Sequence, residues 1–152
     1  RFTSQWQRTG KGIADYYVRA AWFNENLIYA DRDFDYTSRN IANSLIAEAE
    51  SKIKLKQNHL INVGINNTFS TAIAEGYESD LQQNRVALFT SYRYTTTNPK
   101  LQTTVSVRQE LFNDQLIPLT YSAGAEYKLW TWLELKANAA KVYRIPTFND
   151  LY

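Results

Sequence analysis

Apolar and polar residues alternate along most of this chain in runs far longer than a soluble strand needs. Leu101, Thr103, Val105 and Val107 alternate with Gln102, Thr104, Ser106 and Arg108. Leu119, Tyr121, Ala123, Ala125 and Tyr127 alternate with Thr120, Ser122, Gly124, Glu126 and Lys128, and Leu133, Leu135 and Ala137 with Glu134, Lys136 and Asn138. A period of two puts every second side chain on the same face of an extended strand, so these runs are strands with one apolar and one polar face. Earlier runs repeat the rhythm: residues 14–22, 45–56, 61–69 and 85–94. Phe89 breaks it, as an aromatic on the polar side. Residues 27–36 are less regular. Residues 40–56 compete as a helix, because Ile41, Leu45 and Ala49 recur near i+4 and Ala, Glu and Lys favour helices; the alternation of Lys52, Lys54 and Lys56 with Ile53 and Leu55 favours a strand.

Strands of about 10–15 residues exceed the usual five or six. They suit a tilted membrane-crossing strand, which needs about 9–11. Connections read as alternately short and long. The short ones are Asn24-Glu25-Asn26, Lys56-Gln57-Asn58, Thr97-Asn98-Pro99-Lys100 and Trp130-Thr131-Trp132; the longer ones cover residues 33–43, 76–84 and 113–118. Outer-membrane barrels have short turns on the periplasmic side and long loops outside. Aromatics sit beside the short turns: Trp22 and Phe23, Tyr92 and Tyr94, Trp130 and Trp132. Trp and Tyr favour the membrane interface, where a flat apolar ring can keep one polar atom wet. Cross-strand aromatic pairing in a soluble sheet is the plainer alternative.

Composition narrows function. The chain has no Cys and one His, which excludes disulfides, thiol nucleophiles and Cys-ligated zinc. It leaves His59 as an ordinary residue beside a turn, and no metal or cofactor site is expected. A net charge of +2 without a basic run argues against nucleic acid. No run approaches the roughly 18 apolar residues of a membrane helix, although alternating strands cross a membrane without one. The opening Arg1-Phe2-Thr3-Ser4 has no apolar stretch of the leader type, so a membrane reading expects a leader upstream.

The closing residues Arg144-Ile145-Pro146-Thr147-Phe148-Asn149-Asp150-Leu151-Tyr152 follow a long amphipathic strand. This Arg-x-Pro-Thr-Phe-x-x-Leu-Tyr segment resembles the late barrel signature of TonB-dependent outer-membrane receptors. So do two further features. Val107-Arg108-Gln109-Glu110 ends a strand where the family shows Gly-x-Arg-x-Asp/Glu, with Ser106 in place of the Gly. Pro118 then leads into a Gly124-containing amphipathic run. The match is densest over residues 85–152; residues 1–84 match in strand rhythm alone.

The resemblance implies an all-β fold: an antiparallel up-and-down meander of long amphipathic strands, part of a transmembrane β-barrel, with residues 1–152 as a single barrel segment. Family barrels have 22 strands around a plugged lumen, and about nine are legible here. The plug, the TonB-contacting N-terminal segment and the remaining strands lie outside this segment. The implied function is import of a nutrient such as an iron–siderophore or cobalamin across the outer membrane of a Gram-negative bacterium, energised through TonB. The implied partners are outer-membrane lipid, the receptor's own plug, the TonB complex and a small nutrient ligand.

The lumen wall is expected from the polar faces: Asp15, Arg19, Glu48, Glu50, Lys52, Lys54, Arg85, Arg93, Arg108, Glu110, Glu126, Lys128, Glu134 and Lys136. Val105, Val107, Tyr121, Ala123, Leu133 and Leu135 are expected to face lipid. The candidate plug-contact or ligand-path residues are Arg108, Glu110, Glu126, Lys128, Arg144, Asn149, Asp150 and Tyr152. Pro146 cannot donate a ladder hydrogen bond, so pairing should stop near it.

Two other readings compete. One is a soluble β-sheet binding module, with carbohydrate held on exposed Trp and Tyr. The other is a hydrolase using the same-face carboxylates Glu48 and Glu50, or Glu126 and Glu134; a solvated face of alternating charges explains those with less, and no catalytic residue is assigned.

Overall fold

Among the described residues, antiparallel neighbours in sequence pair in order. The computed structural model describes residues 1–31, 36–74, 81–96, 98 and 100–143. Its strands are β1 (Phe2–Arg8), β2 (Ala14–Asp31), β3 (Tyr36–Lys56), β4 (His59–Ala74), β5 (Leu81–Thr95), β6 (Leu101–Phe112), β7 (Gln115–Leu116), β8 (Thr120–Trp130) and β9 (Leu133–Lys141). One sheet runs β1-β2-β3-β4-β5-β6-β8-β9, with the two-residue β7 paired to β6. Among the described residues the sheet does not close: β1 and β9 are not paired with each other.

The register carries the stagger of a barrel. A line perpendicular to the strands joins Ala14, Ile53, Ile61, Tyr92, Val105, Ala123 and Ala139. Ala14 opens β2, Ile61 is two residues past His59, Val105 four past Leu101, and Ala139 six past Leu133. Each hairpin therefore advances by two residues against the last. This steady shear is what tilted strands need in order to wrap around an axis.

Burial is one-sided. Among the described residues the buried ones are Asp15, Gly64, Leu81, Ala87 and Glu110, and the register puts all five on the same face. The large apolar side chains of the other face stay open: Leu88 is 60% exposed beside Ala87 at 2%. In a single-layer sheet, burial on one face means that face is concave. We call it the inner face. It is the polar one, so the usual arrangement of a soluble sheet, apolar in and polar out, is inverted.

Several sequence expectations shift. Asn24-Glu25-Asn26 is not a turn: β2 runs through it, and Asn24 Nδ2 donates to Asn43 Oδ1 across the strand pair at 2.7 Å. Amides that bond each other laterally keep a strand going beyond any apolar band. Trp22 and Phe23 therefore flank no turn and lie mid-strand. Residues 36–43 and 81–84 are strand rather than connection. β1 was not anticipated; Phe2, Ser4 and Trp6 alternate in it with Thr3, Gln5 and Gln7.

Residues 40–56 are strand, not helix. The turns after β3 and β8 fall at residues 57–58 and 131–132 as expected. Asn113 and Asp114, with φ of 45° and 64°, form the tight turn into β7; both residue types tolerate this left-handed backbone. β1, β3, β5 and β8 end at one side of the sheet, and β2, β4 and β6 end at the other.

Candidate functional site

Registered pairing turns local alternation into a continuous polar wall. All fourteen polar residues expected on the lumen side lie on the inner face. Twelve of them join in ion pairs, across to a neighbouring strand or along their own; among the described residues Arg93 and Lys128 do not.

At the foot of the wall, Lys54 Nζ lies 2.9 Å from Asp15 Oδ2, which is 6% exposed as a residue. The Gly10 amide also donates to Asp15 Oδ1 at 3.4 Å, tying the connection after β1 to the wall. Higher up, Arg19 spans Glu50 at 2.6 Å and Glu48 at 3.2 Å. Lys52 lies 3.4 Å from Glu50 and 4.5 Å from the Tyr17 ring centroid. Asn62 and Asn66 donate to Glu50 and Glu48, each at 3.4 Å. The two carboxylates weighed as a hydrolytic pair are thus both engaged by one guanidinium.

A third cluster, again around a buried carboxylate, is on β5 and β6. Arg85 Nη2 donates to both Glu110 oxygens at 3.1 and 3.2 Å, and Arg108 Nε donates to Oε1 at 2.5 Å. Two cations on one carboxylate leave the cluster with a net positive charge. Glu110 is 8% exposed, so its charge depends on these partners, whereas the half-exposed guanidinium groups remain reachable from the lumen side. An ion pair with open partners contributes about 1 kcal/mol or less to stability; its position matters more for what it can bind. Farther round, Lys136 lies 3.2 Å from Glu134 and 3.8 Å from Glu126.

An aromatic interrupts the wall for a steric reason. Phe89 pairs in register with Gly64. A Cβ built on Gly64 would strike the Phe89 ring and would lie 2.8 Å from the Ala49 carbonyl oxygen. The ring therefore occupies the space that glycine leaves open. Among the described residues, Asn62 Oδ1 and Gln83 Nε2 are buried without a hydrogen-bond partner. Both belong to the inner face.

Arg108 and Glu110 are brought together. Glu126 pairs in register with Gln102, eight residues along β6 from Glu110, about 27 Å away at the usual rise. Glu126 thus shares the face of Arg108 and Glu110 but belongs to the separate cluster around Lys136, and Lys128 shares the face without an ion pair. Arg144, Asn149, Asp150 and Tyr152 lie outside the described residues. Arg85 was expected in the wall but not singled out as a site residue, and Gln83 and the Gly64–Phe89 contact were not anticipated. For the last, the one sequence signal was Phe89 falling out of phase. His59 is on the outer face, where its Nδ1 lies 2.7 Å from Tyr92 Oη.

A protein-family model for the TonB dependent receptor-like β-barrel matches residues 1–152. No curated protein matches the chain. With the whole length matched, the chain belongs to the TonB-dependent receptor β-barrel family, a family of outer-membrane transporters that work with a plug domain, TonB and small ligands.

Proposed function

We propose that this member of the TonB-dependent receptor family forms part of the lumen wall of an importer in the outer membrane of a Gram-negative bacterium, taking up an iron–siderophore or cobalamin under TonB control. The observation that carries this reading is the inversion of the sheet, with exposed apolar side chains outside and ion-paired polar ones inside. Lipid replaces water as the solvent of the outer face, and the polar wall meets a hydrated plug rather than a hydrophobic core. The Arg85–Glu110–Arg108 cluster offers donors to an anionic or oxygen-rich surface passing on that side. Residues 1–152 act as one barrel segment, with Arg144, Asn149, Asp150 and Tyr152 leaving the last strand toward the lumen.

The test is complementation of a receptor-deleted strain by the full-length receptor. Growth on a ferric siderophore as sole iron source and growth on cobalamin are the two separate arms. One arm should be restored, and Arg108→Gln with Glu110→Gln should reduce uptake while the barrel still assembles, as read by heat-modifiable gel mobility. Restoration of neither arm by an assembled receptor would refute the assigned ligand classes.

A further inference from the structure

On the outer face of β1–β5 the side chains form a trough rather than a smooth apolar wall. Two adjacent rows across the strands read Trp6, Val18, Ala49, Ile65, Leu88 and Arg8, Tyr16, Ser51, Val63, Thr90. Each is bulky at its flanks and small on β3. The result is a groove of about 640 Å³ floored by Ala49 and Ser51. A row of Trp22, Leu45 and Phe69 stands two rows farther along the strands, beyond Ala20 and Ala47. Its walls are exposed apolar groups, with Val18 at 46% and Leu88 at 60%. At the other end is Arg8, the last residue of β1, beside the 9–13 connection.

The charge at that end is unopposed. Among the described residues, no Asp or Glu occupies an outward register position on any of these strands, and Arg8 has no ion-pair partner. Tyr16 is its cross-strand register partner. An apolar trough ending in a guanidinium and a phenol matches the two halves of a glycerophospholipid: a hydrocarbon chain, then a phosphate at interface height. Arginine suits this end because its stem packs on apolar surface while its head stays at the polar boundary.

From this we infer a specific phospholipid site, in which one acyl chain lies along Ala49 and Ser51 and the phosphate is held by Arg8. The lipid comes from the periplasmic leaflet, since Arg8 stands at the end of the tight turns. The inference rests on the outer face meeting lipid, as in the proposed function. It does not depend on which ligand is imported.

Full-length receptor, purified in detergent and stripped of lipid, would be titrated with dioleoyl-phosphatidylglycerol by native mass spectrometry. Dioleoylglycerol, with the same chains and no phosphate, serves as the parallel arm. One lipid should be retained well above the weaker adducts. Arg8→Gln should weaken that lipid about fivefold, the usual effect of one basic residue on an anionic headgroup, and leave dioleoylglycerol unchanged. Ala49→Leu, which fills the floor, should abolish retention of both; Ser51→Val serves if that variant fails to assemble. Unchanged retention in both variants, or displacement of the bound lipid by inorganic phosphate, would overturn the site. Uptake measured on the same preparations separates this failure from failure of the transport reading, because Arg8→Gln should leave uptake intact.

Discussion

Gly64→Ala is the smallest change that should disturb the inner wall. The added methyl would meet two obstacles of different kinds. The Phe89 ring is a side chain and can rotate away, whereas the Ala49 carbonyl oxygen, 2.8 Å from the new carbon, belongs to the ladder between β3 and β4. Overpacking of this sort costs about 1–3 kcal/mol. Alanine recovers about 0.5–1 kcal/mol because it loses less backbone freedom than glycine in a strand. The net loss should centre on about 1 kcal/mol, within roughly 0–2.5, by these two estimates.

Phe89→Ala removes the ring and leaves Gly64 uncovered, which should destabilise the barrel by itself. The double variant should be less damaged than the two singles added together, because the ring and the methyl compete for one space. Unfolding in urea after reconstitution into lipid, followed by tryptophan fluorescence, measures all three. A Gly64→Ala barrel as stable as its parent, or strictly additive losses, would refute the packing of Phe89 on Gly64.

Leu88→Arg places a charge on the outer face near mid-membrane height and should cost about 2–4 kcal/mol of barrel stability, whereas Ser91→Arg on the inner face of the same strand should assemble normally; heat-modifiable mobility compares them. Glu110→Gln leaves Arg85 and Arg108 without their carboxylate. Because both guanidinium groups are partly solvated, the loss should be about 1 kcal/mol, and adding Arg85→Gln should cost little more, as read by urea midpoints. For topology, a Cys introduced at Asp114 should react with an impermeant thiol reagent on intact cells, and one at Asn98 should not; the reverse pattern would invert the ends.

Face assignment was legible because it needs only local alternation. Asp15 and Arg19, or Arg108 and Glu110, are two or four residues apart and must share a face in any regular strand. What those residues bond to was not legible. Arg85 and Glu110 meet because β5 and β6 pair at one register among many, and alternation alone does not choose between registers two residues apart. The same applies to Gly64 and Phe89: each looked like a local irregularity, and only pairing makes them one feature.

Asn24-Glu25-Asn26 misled for a different reason. Asn is a good turn former, but a strand that continues past the lipid needs no apolar side chains, and Asn24 finds its partner in Asn43. β1 was missed because its arginine and glutamines drown a short apolar alternation. Assignment to the receptor family rested on the resemblance of the later strands, and the family match extends it to residues 1–84.

The inversion of the sheet is tested most directly by a nitroxide scan along β5 in the full-length receptor reconstituted into lipid. Labels at positions 86, 88, 90 and 92 should be accessible to oxygen and shielded from a water-soluble nickel chelate. Labels at 87, 89 and 91 should show no such lipid signature, giving a period of two in phase with the outer face. Equal access of the chelate to both sets, or the opposite phase, would contradict a wall that is apolar toward lipid and polar toward the lumen.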